Sequence, residues 1–283
     1  MADAAALEER DVVLEIGPGT GMLTRTLLDR GARIVAVEAD VRAVTELEAT
    51  FKDACANGAL TLHHGDIREF TPACAKRSTP GRPEDLHVPC GKYKVIANIP
   101  YHLSGILFRQ FLSSDCQPET LVFLVQKEVA ERIVPKQFSP RAACARRSTA
   151  GRAVGKTAEG GSGRNPKESL LSLSVKAYGR PTYVRTVARG NFNPRPRVDS
   201  AIVSVTDISK RNFRDTSEPL FFEILRLGFG SRRKQLLGNL SKRYDRAALV
   251  KTFSTLDIRT DVRAEDVPLG TWLKLVQSLS VHS

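Results

Sequence analysis

The stretch DVVLEIGPGTG, residues 11–21, decides the fold. It opens with a short apolar, β-branched run that is typical of a buried strand, and a cluster of glycines follows directly. Beyond Gly21, apolar residues recur at helical spacing as far as Arg30. Glycine adopts dihedral angles that a Cβ forbids and lets the backbone approach a ligand closely. A strand, a glycine loop and a helix in this order therefore predict a nucleotide-binding site.

Strands and helices continue to alternate through the first half of the chain. The runs that predict strands are apolar on both faces, as burial on both faces of a sheet requires. Alternation at these lengths indicates an α/β fold in which helices cover a parallel sheet. Further strands are predicted over 33–38, 60–66, 93–98 and 120–126, and helices over 41–51, 103–112 and 127–134.

Two segments interrupt this pattern. Residues 71–92 are rich in proline and glycine, which predicts a surface loop. Residues 139–166 hold six basic residues, one acidic residue and almost no large apolar ones, which predicts a disordered basic insertion. Strands are predicted again over 169–179, 181–187 and 201–208.

The end of the chain has a different pattern. From about Thr216 the apolar residues follow helical spacing only. We therefore expect two domains. The larger, over 1–210, contains the sheet and the basic insertion, and the smaller, over 211–283, is all-helical.

The composition favours a polyanionic partner. The 283 residues include 43 Lys and Arg against 31 Asp and Glu, which gives a formal charge of +12.

The five cysteines are widely spaced, with no Cys-x-x-Cys pair and no histidine at ligand spacing, so no metal site is expected. No apolar run approaches the roughly 18 residues of a membrane span, and the N-terminus lacks the pattern of a secretion signal. A cytoplasmic protein is expected.

The spacing of the glycine loop indicates which nucleotide it binds. A dinucleotide fingerprint that starts at Gly17 needs a further glycine where this chain has Met22. What remains is Glu-x-Gly-x-Gly-x-Gly, formed by Glu15, Gly17, Gly19 and Gly21. The acid would repel a pyrophosphate but suits a sulfonium and an ammonium group. The loop therefore favours S-adenosyl-L-methionine.

Two further acids end predicted strands and extend this site. Glu38 ends the second strand, where a carboxylate can accept both hydroxyls of a ribose. Asp66 ends the third strand, near the expected place of the cofactor's adenine. For Asp66 an alternative remains open, in which its carboxylate is the N-cap of a helix that begins with the residues that follow, IREF.

The fourth strand of the series ends in NIPY, Asn98 to Tyr101. The exocyclic amine of a base is a poor nucleophile because its lone pair is delocalised into the ring. The side-chain carbonyl of Asn98 and the backbone carbonyl of Ile99 can accept the amine protons and localise that lone pair. Pro100 fixes its own φ and keeps Ile99 away from the helical region, so the two carbonyls can converge. Tyr101 offers a face on which the base can stack. The alternative is that NIPY only ends the strand and begins the next helix.

Seven motifs in this order, EIGPGTG, VEAD, HHGD, NIPY, QKEVAERI, FNPRPRVDS and FGSRRKQLLGNL, resemble the ribosomal RNA adenine N6,N6-dimethyltransferase family. The resemblance covers nearly the whole chain. It implies a Rossmann-like methyltransferase domain with a small helical C-terminal domain. It also implies a monomer that modifies two adjacent adenines in a hairpin near the 3′ end of small-subunit rRNA, in pre-ribosomal particles during ribosome biogenesis.

The resemblance also implies roles for individual residues. Phe192 would pack against the target base from the side opposite Tyr101, although it could equally be a core anchor. The basic residues at the start of a predicted helix would contact RNA, although they could equally be a solvated face. Residues implied at the cofactor are Gly17, Glu38, Asp66 and Asn98, and those implied at the RNA are Arg232, Arg233 and Lys234.

The chain departs from the family at its start, and two other functions stay open. The family usually begins with a segment that contains Gln-Asn-Phe-Leu, whereas ten residues precede the first strand here, so we expect a shortened N-terminus. Large-subunit rRNA adenine methylases, which confer macrolide resistance, share the glycine loop and NIPY. A non-catalytic RNA-binding assembly or transcription factor could also keep the fold and the basic surface.

Overall fold

The computed structural model describes residues 1–73, 85–89, 92–134, 167–231 and 233–280. The predicted basic insertion over 139–166 and the predicted RNA contact Arg232 lie outside the described residues.

A seven-stranded sheet in the order β3-β2-β1-β6-β7-β9-β8 organises the first part of the fold. β3, β2, β1, β6 and β7 run parallel, and β9 and β8 join antiparallel at one edge. The predicted α/β sheet is therefore confirmed, with a mixed rather than wholly parallel order. Its strands are β1 Val12–Ile16, β2 Arg33–Glu38, β3 Leu60–His64, β6 Tyr93–Asn98, β7 Thr120–Gln126, β8 Arg180–Val187 and β9 Ser200–Thr206.

Helices connect the strands, as their spacing in the sequence predicts. The central strands β6 and β7 are almost wholly buried, which agrees with their continuous apolar sequence. The helices are α1 Met22–Leu28, α2 Val41–Thr50, α3 Lys52–Ala56, α4 Ser104–Ser113, α5 Lys127–Ile133 and α6 Leu170–Lys176, followed by α7 Glu218–Gly228, α8 Leu236–Leu240, α9 Arg246–Thr255 and α10 Leu269–Ser280.

Two secondary-structure predictions were wrong. The region predicted as a surface loop contains two short paired strands, β4 Thr71–Ala73 and β5 Asp85–His87. The strand predicted over 169–179 is instead α6, although its apolar residues alternate. The hydroxyl of Ser169 accepts the N–H of Ser172 at 3.0 Å, and this cap selects the helical alternative.

The chain divides into two compact units. The first comprises Met1–Ala130 and Val175–Arg211, and it holds the sheet. The second comprises Glu131–Ser174 and Asn212–Ser283, and its described part is helical, with Trp272 completely buried. No helix in the described part of the chain combines the length and apolar character needed to cross a membrane.

A short 3-10 helix, Ala2–Ala5, packs on one face of the sheet against the hydrophobic cluster that includes Ile96 and Ile202. The buried Lys94 holds in place the segment that follows this helix, residues 6–11. Its ammonium group donates to the carbonyl of Ala6 and to the carboxylate of Asp11, both at 2.7 Å. The first residues of the chain therefore cover this face near the amino-terminal ends of β1 and β6. The carboxyl ends of these strands lie at the opposite end of the same face.

Candidate active site

The glycine loop lies at the carboxyl end of β1 and is bonded to the end of β2. Gly17, Gly19 and Gly21 have φ angles of 62°, 55° and 76°, a left-handed conformation that favours glycine. The N–H of Gly17 donates to the carbonyl of Val37 at 2.9 Å, and that of Gly19 to Oε2 of Glu38 at 3.0 Å. Two of the predicted cofactor-binding segments are thus in direct contact.

The three glycines differ in what surrounds them. A Cβ on Gly21 would lie 2.5 Å from the ring of Phe51, so this glycine is needed for packing. A Cβ on Gly17 or Gly19 would meet no heavy atom within 4 Å. These two positions leave open space against the backbone, as a bound cofactor requires.

Glu15 is a buried acid without a bonding partner. Its side chain is 1% exposed, and neither carboxylate oxygen forms a hydrogen bond within the described structure. Burial raises the pKa of Glu15 to about 7; the nearby Thr24 hydroxyl opposes this rise without reaching hydrogen-bond geometry, and the charge of Glu38 adds to it. An unpaired buried carboxylate is costly, so a cationic ligand beside Glu15 would stabilise the site. The sulfonium and ammonium groups of S-adenosyl-L-methionine meet this requirement.

Glu38 has the opposite environment, because its carboxylate is already well bonded. Besides Gly19, the N–H groups of Ala39 and Asp40 donate to its Oε1 at 2.8 and 3.1 Å. An ionised carboxylate has about four acceptor positions, so about one remains for a ligand hydroxyl. The geometry fixes the Glu38 carboxylate beside the glycine loop, with room for one ribose hydroxyl more readily than two.

Asp66 follows β3 and pairs with a neighbour in the sequence. Arg68 donates its Nε to both carboxylate oxygens of Asp66, at 3.0 and 2.9 Å, and its backbone N–H to Oδ1 at 2.9 Å. The hydrogen bonds from Arg68 lower the pKa of Asp66 to about 2. Asp66 therefore caps a turn over residues 67–69 rather than the helix of the open alternative. Only displacement of Arg68 would free its carboxylate for a ligand.

NIPY lies at the carboxyl end of β6, next to β1. Asn98 is exposed and forms no side-chain hydrogen bond with any residue that the structure describes. Ile99 is buried, so only its backbone could face a ligand. The hydroxyl of Tyr101 lies 2.8 Å from that of Ser200, the buried first residue of β9. The strand end therefore presents a free amide beside a tyrosine whose position is fixed.

Phe192 lies in the loop between β8 and β9. Its half-buried side chain packs against the hydrophobic cluster that contains Ile96, Leu124 and Ile202. Asn98 pairs with Leu124 across the ladder between β6 and β7, so its side chain points to this same face. Phe192 is thus both a core contact and a partly exposed ring on the face of Asn98, which leaves both sequence alternatives open.

Two of the predicted RNA-binding residues, Arg233 and Lys234, are described by the structure and lie in the second unit. Arg233 and Lys234 are exposed in a turn that precedes α8, whereas the sequence placed them at the start of the helix itself. The buried side chain of Asn239 donates to the carbonyls of Gly228 and Ser231 at 2.6 and 3.1 Å, and these bonds hold the turn.

Sequence reasoning missed Ser200 and Asn239. Both lie inside motifs that we quoted, FNPRPRVDS and FGSRRKQLLGNL. A lone serine or asparagine has no chemical signature in a sequence, because its role depends on the partner that the fold brings to it. Their places within these motifs were the only signal.

The sequence of this chain is similar to those of known proteins of one family. The profile of the ribosomal RNA adenine dimethylases matches residues 1–145 and 156–280. A protein of Dehalococcoides mccartyi named ribosomal RNA small subunit methyltransferase A is 34% identical over 276 residues, covering 96% of this chain and 80% of that protein.

Two solved structures share the fold. A dimethyladenosine transferase from Plasmodium falciparum superposes with a TM-score of 0.68 at 23% identity, covering 99% of this chain and 94% of that one. The 23S rRNA methyltransferase ErmE superposes with a TM-score of 0.63 at 20% identity, covering 99% and 95%. The methyltransferase fold is thereby confirmed, and the family match supports S-adenosyl-L-methionine as the cofactor. The chain therefore belongs to the ribosomal RNA adenine dimethylase family.

Proposed function

We propose that this protein transfers methyl groups from S-adenosyl-L-methionine to N6 of two adjacent adenines in a hairpin near the 3′ end of small-subunit rRNA. It acts as a cytoplasmic monomer on pre-ribosomal particles, during ribosome biogenesis. Relatives named ribosomal RNA small subunit methyltransferase A over nearly the whole chain support the choice of RNA.

One observation carries the proposal: Glu15 and Asn98 point to the same face of adjacent strands. Glu15 pairs with Ile96 in the ladder between β1 and β6, and Asn98 follows two residues further along β6. A buried carboxylate and an exposed amide, neither with a hydrogen-bond partner among the described residues, are therefore neighbours. This juxtaposition suits a cationic methyl donor beside a neutral amine acceptor.

The glycine loop, Glu15 and Glu38 would bind the cofactor, which supplies an electrophilic methyl group when bound. Gly17 and Gly19 leave room for it along the backbone, and Glu15 gives a negative charge to its cationic end. Glu38, held by three backbone N–H groups, would accept from a ribose hydroxyl. Asp66 would contact the cofactor's adenine after release from Arg68.

Asn98 to Tyr101 would hold the target adenine. The side-chain carbonyl of Asn98 and the backbone carbonyl of Ile99 would accept the two protons of N6 and direct its lone pair. Tyr101 would stack on one face of the base, an interaction worth roughly 1–3 kcal/mol, and Phe192 would close the other face. The amine is neutral before it attacks, so no residue needs to act as a general base first.

We keep the two domains that the sequence predicts, although the segment Glu131–Ser174 groups with the helical unit. The sheet-containing domain, over 1–210, would carry out methyl transfer. The helical domain, over 211–283, would add RNA contacts through Arg232, Arg233 and Lys234. These phosphate contacts would position the substrate and make its binding sensitive to salt.

The test is transfer of labelled methyl groups to unmodified ribosomal subunits, followed by primer extension to map the modified adenines. The unmutated protein should label two adjacent adenines in small-subunit rRNA. Asn98→Ala should lower kcat by roughly 100-fold or more while RNA binding persists, because it removes an acceptor on the reacting amine. His102→Ala is the matched control: this exposed neighbour should be dispensable if no general base is required.

Two other outcomes of this experiment would support a different function. Modification confined to large-subunit rRNA would establish the macrolide-resistance type of methylase instead. If the unmutated protein labels no RNA at saturating cofactor but still binds it, the protein is a non-catalytic RNA-binding factor.

A further inference from the structure

The loop that joins β8 to β9, residues 188–199, carries a concentrated positive charge. We call it the hairpin loop. Arg189, Arg195 and Arg197 are all exposed on it, and Asp199 at its end is its only acid. The carboxylate of Asp199 accepts the backbone N–H of Arg189 at 3.0 Å, so it is directed at the main chain of the loop rather than at a guanidinium group.

The arginines of the hairpin loop have no anionic partner among the described residues. The guanidinium group of Arg189 donates to the carbonyl of Arg197 at 3.3 Å, and neither Arg195 nor Arg197 forms an ion pair there. Elsewhere in the first unit, arginines such as Arg68 and Arg180 pair with Asp66 and Asp207. The hairpin loop therefore concentrates cations whose charge no described acidic side chain balances.

The hairpin loop is held by a hydrogen bond within it and by one to α5. The N–H of Asn191 donates to the carbonyl of Ala188 at 3.0 Å, and the N–H of Lys127 at the start of α5 donates to the carbonyl of Asp199 at 3.0 Å. Phe192 fixes the middle of the loop by packing against the hydrophobic cluster that contains Ile96 and Ile202. These contacts give the arginines a defined position relative to the sheet.

The loop also lies beside the proposed base site. Ser200 follows it directly, and the Ser200 hydroxyl is 2.8 Å from that of Tyr101. Arg197 is three residues before Ser200, so its Cα is within about 10 Å of the Cα of Ser200. A guanidinium group on a flexible side chain can therefore reach the surroundings of a base stacked on Tyr101.

We propose that the hairpin loop binds backbone phosphates of the RNA strand that flank the target adenine. This inference rests on the proposed function and adds a second RNA contact, in the first unit, to the one expected at Arg233 and Lys234. Guanidinium groups suit this ligand because they bind phosphate oxygens in a bidentate manner. Such contacts fix the register of the strand without reading its bases.

The experiment measures the affinity of the full-length protein for its rRNA hairpin at several salt concentrations. The double variant Arg195→Gln and Arg197→Gln should bind RNA at least fivefold more weakly at low salt. It should also reduce the slope of log affinity against log salt by about 1.4, since each contact with a single strand contributes about 0.7. Cofactor affinity should not change, which verifies that the variant is folded.

The matched control replaces two other exposed arginines of the first unit, Arg33→Gln and Arg109→Gln. Both double variants remove two charges, so they have the same net charge. An equal loss in both would overturn the inference, because only the overall charge would then matter. An unchanged salt slope in the Arg195→Gln, Arg197→Gln protein, together with methylation by the unmutated protein, would also overturn the inference. The proposed methyltransferase function would then still stand. Failure of the unmutated protein to methylate would refute the function alone, because the slopes are measured on binding.

Discussion

The two sides of the proposed site lie at the carboxyl ends of neighbouring parallel strands, but their side chains are in different environments. On the glycine side, formed by residues 15–21 and Glu38, the carboxylate of Glu15 is buried with no hydrogen bond from the part of the chain that the structure describes. On the Asn98 side, formed by residues 98–101 and Ser200, the phenol of Tyr101 already has its partner and the amide of Asn98 is exposed. One side carries a buried charge that no described residue solvates, and the other is neutral, with an amide that water can reach.

This difference indicates where ligand binding changes the energy of the protein. A buried carboxylate without a partner destabilises the fold, and a cationic ligand would remove that penalty. The Asn98 side needs no such compensation, because water can solvate its exposed amide. We therefore expect the glycine side to respond to pH and to the cofactor, and the Asn98 side to respond mainly to changes in shape.

The largest expected effect is the dependence of stability on pH through Glu15. The pKa of Glu15 is 4.5 in a free side chain and about 7 in the folded protein. The folded state therefore holds the proton more tightly, so the free energy of unfolding falls as pH rises from about 4.5 to about 7 and is level above that. The change is about 3 kcal/mol.

Glu15→Gln tests this expectation, because glutamine has nearly the same shape and does not ionise. Urea unfolding of the cofactor-free protein at pH 5 and pH 8 should show the fall in the unmutated protein and little of it in the variant. The variant should be the more stable of the two at pH 8 and should bind the cofactor more weakly. Equal pH dependence in both proteins would show that Glu15 has a partner in solution.

The second effect concerns the open space at the glycine loop. Gly19→Ala should weaken cofactor binding by about 2 kcal/mol, roughly 30-fold, because its methyl group would occupy the space left for the ligand. Gly58→Ala is the matched control, since Gly58 also has a positive φ, 75°, and open surroundings but lies in the turn before β3. Both variants should lose about 1 kcal/mol of stability through backbone strain. Calorimetric titration with the cofactor distinguishes them, and equal affinities would exclude Gly19 from the pocket.

The sequence predicted the glycine side better than the Asn98 side. Glycines at fixed spacing and an acid at a strand end have a local cause, so the positions of Gly17 and Glu15 could be read directly. The bond between Tyr101 and Ser200 joins residues 99 positions apart, and only the topology brings them together. The helix α6 was missed for a local reason, because alternating apolar residues fit a short helix as well as a strand and the Ser169 cap decided between them.

The smallest effect is expected on the Asn98 side, from the bond between Tyr101 and Ser200. Tyr101→Phe and Ser200→Ala each remove one partner and should each raise the KM for RNA about fivefold, equivalent to about 1 kcal/mol. If the bond serves to orient the stacking ring, the double variant should be no worse than the worse single variant, because the second change has nothing left to break. The kcat should change less than the KM, since Asn98 is intact in every variant. Fully additive losses in a double-mutant cycle would mean that the two hydroxyls act independently, and the Asn98 side would then not be fixed in advance in the way that distinguishes it from the glycine side.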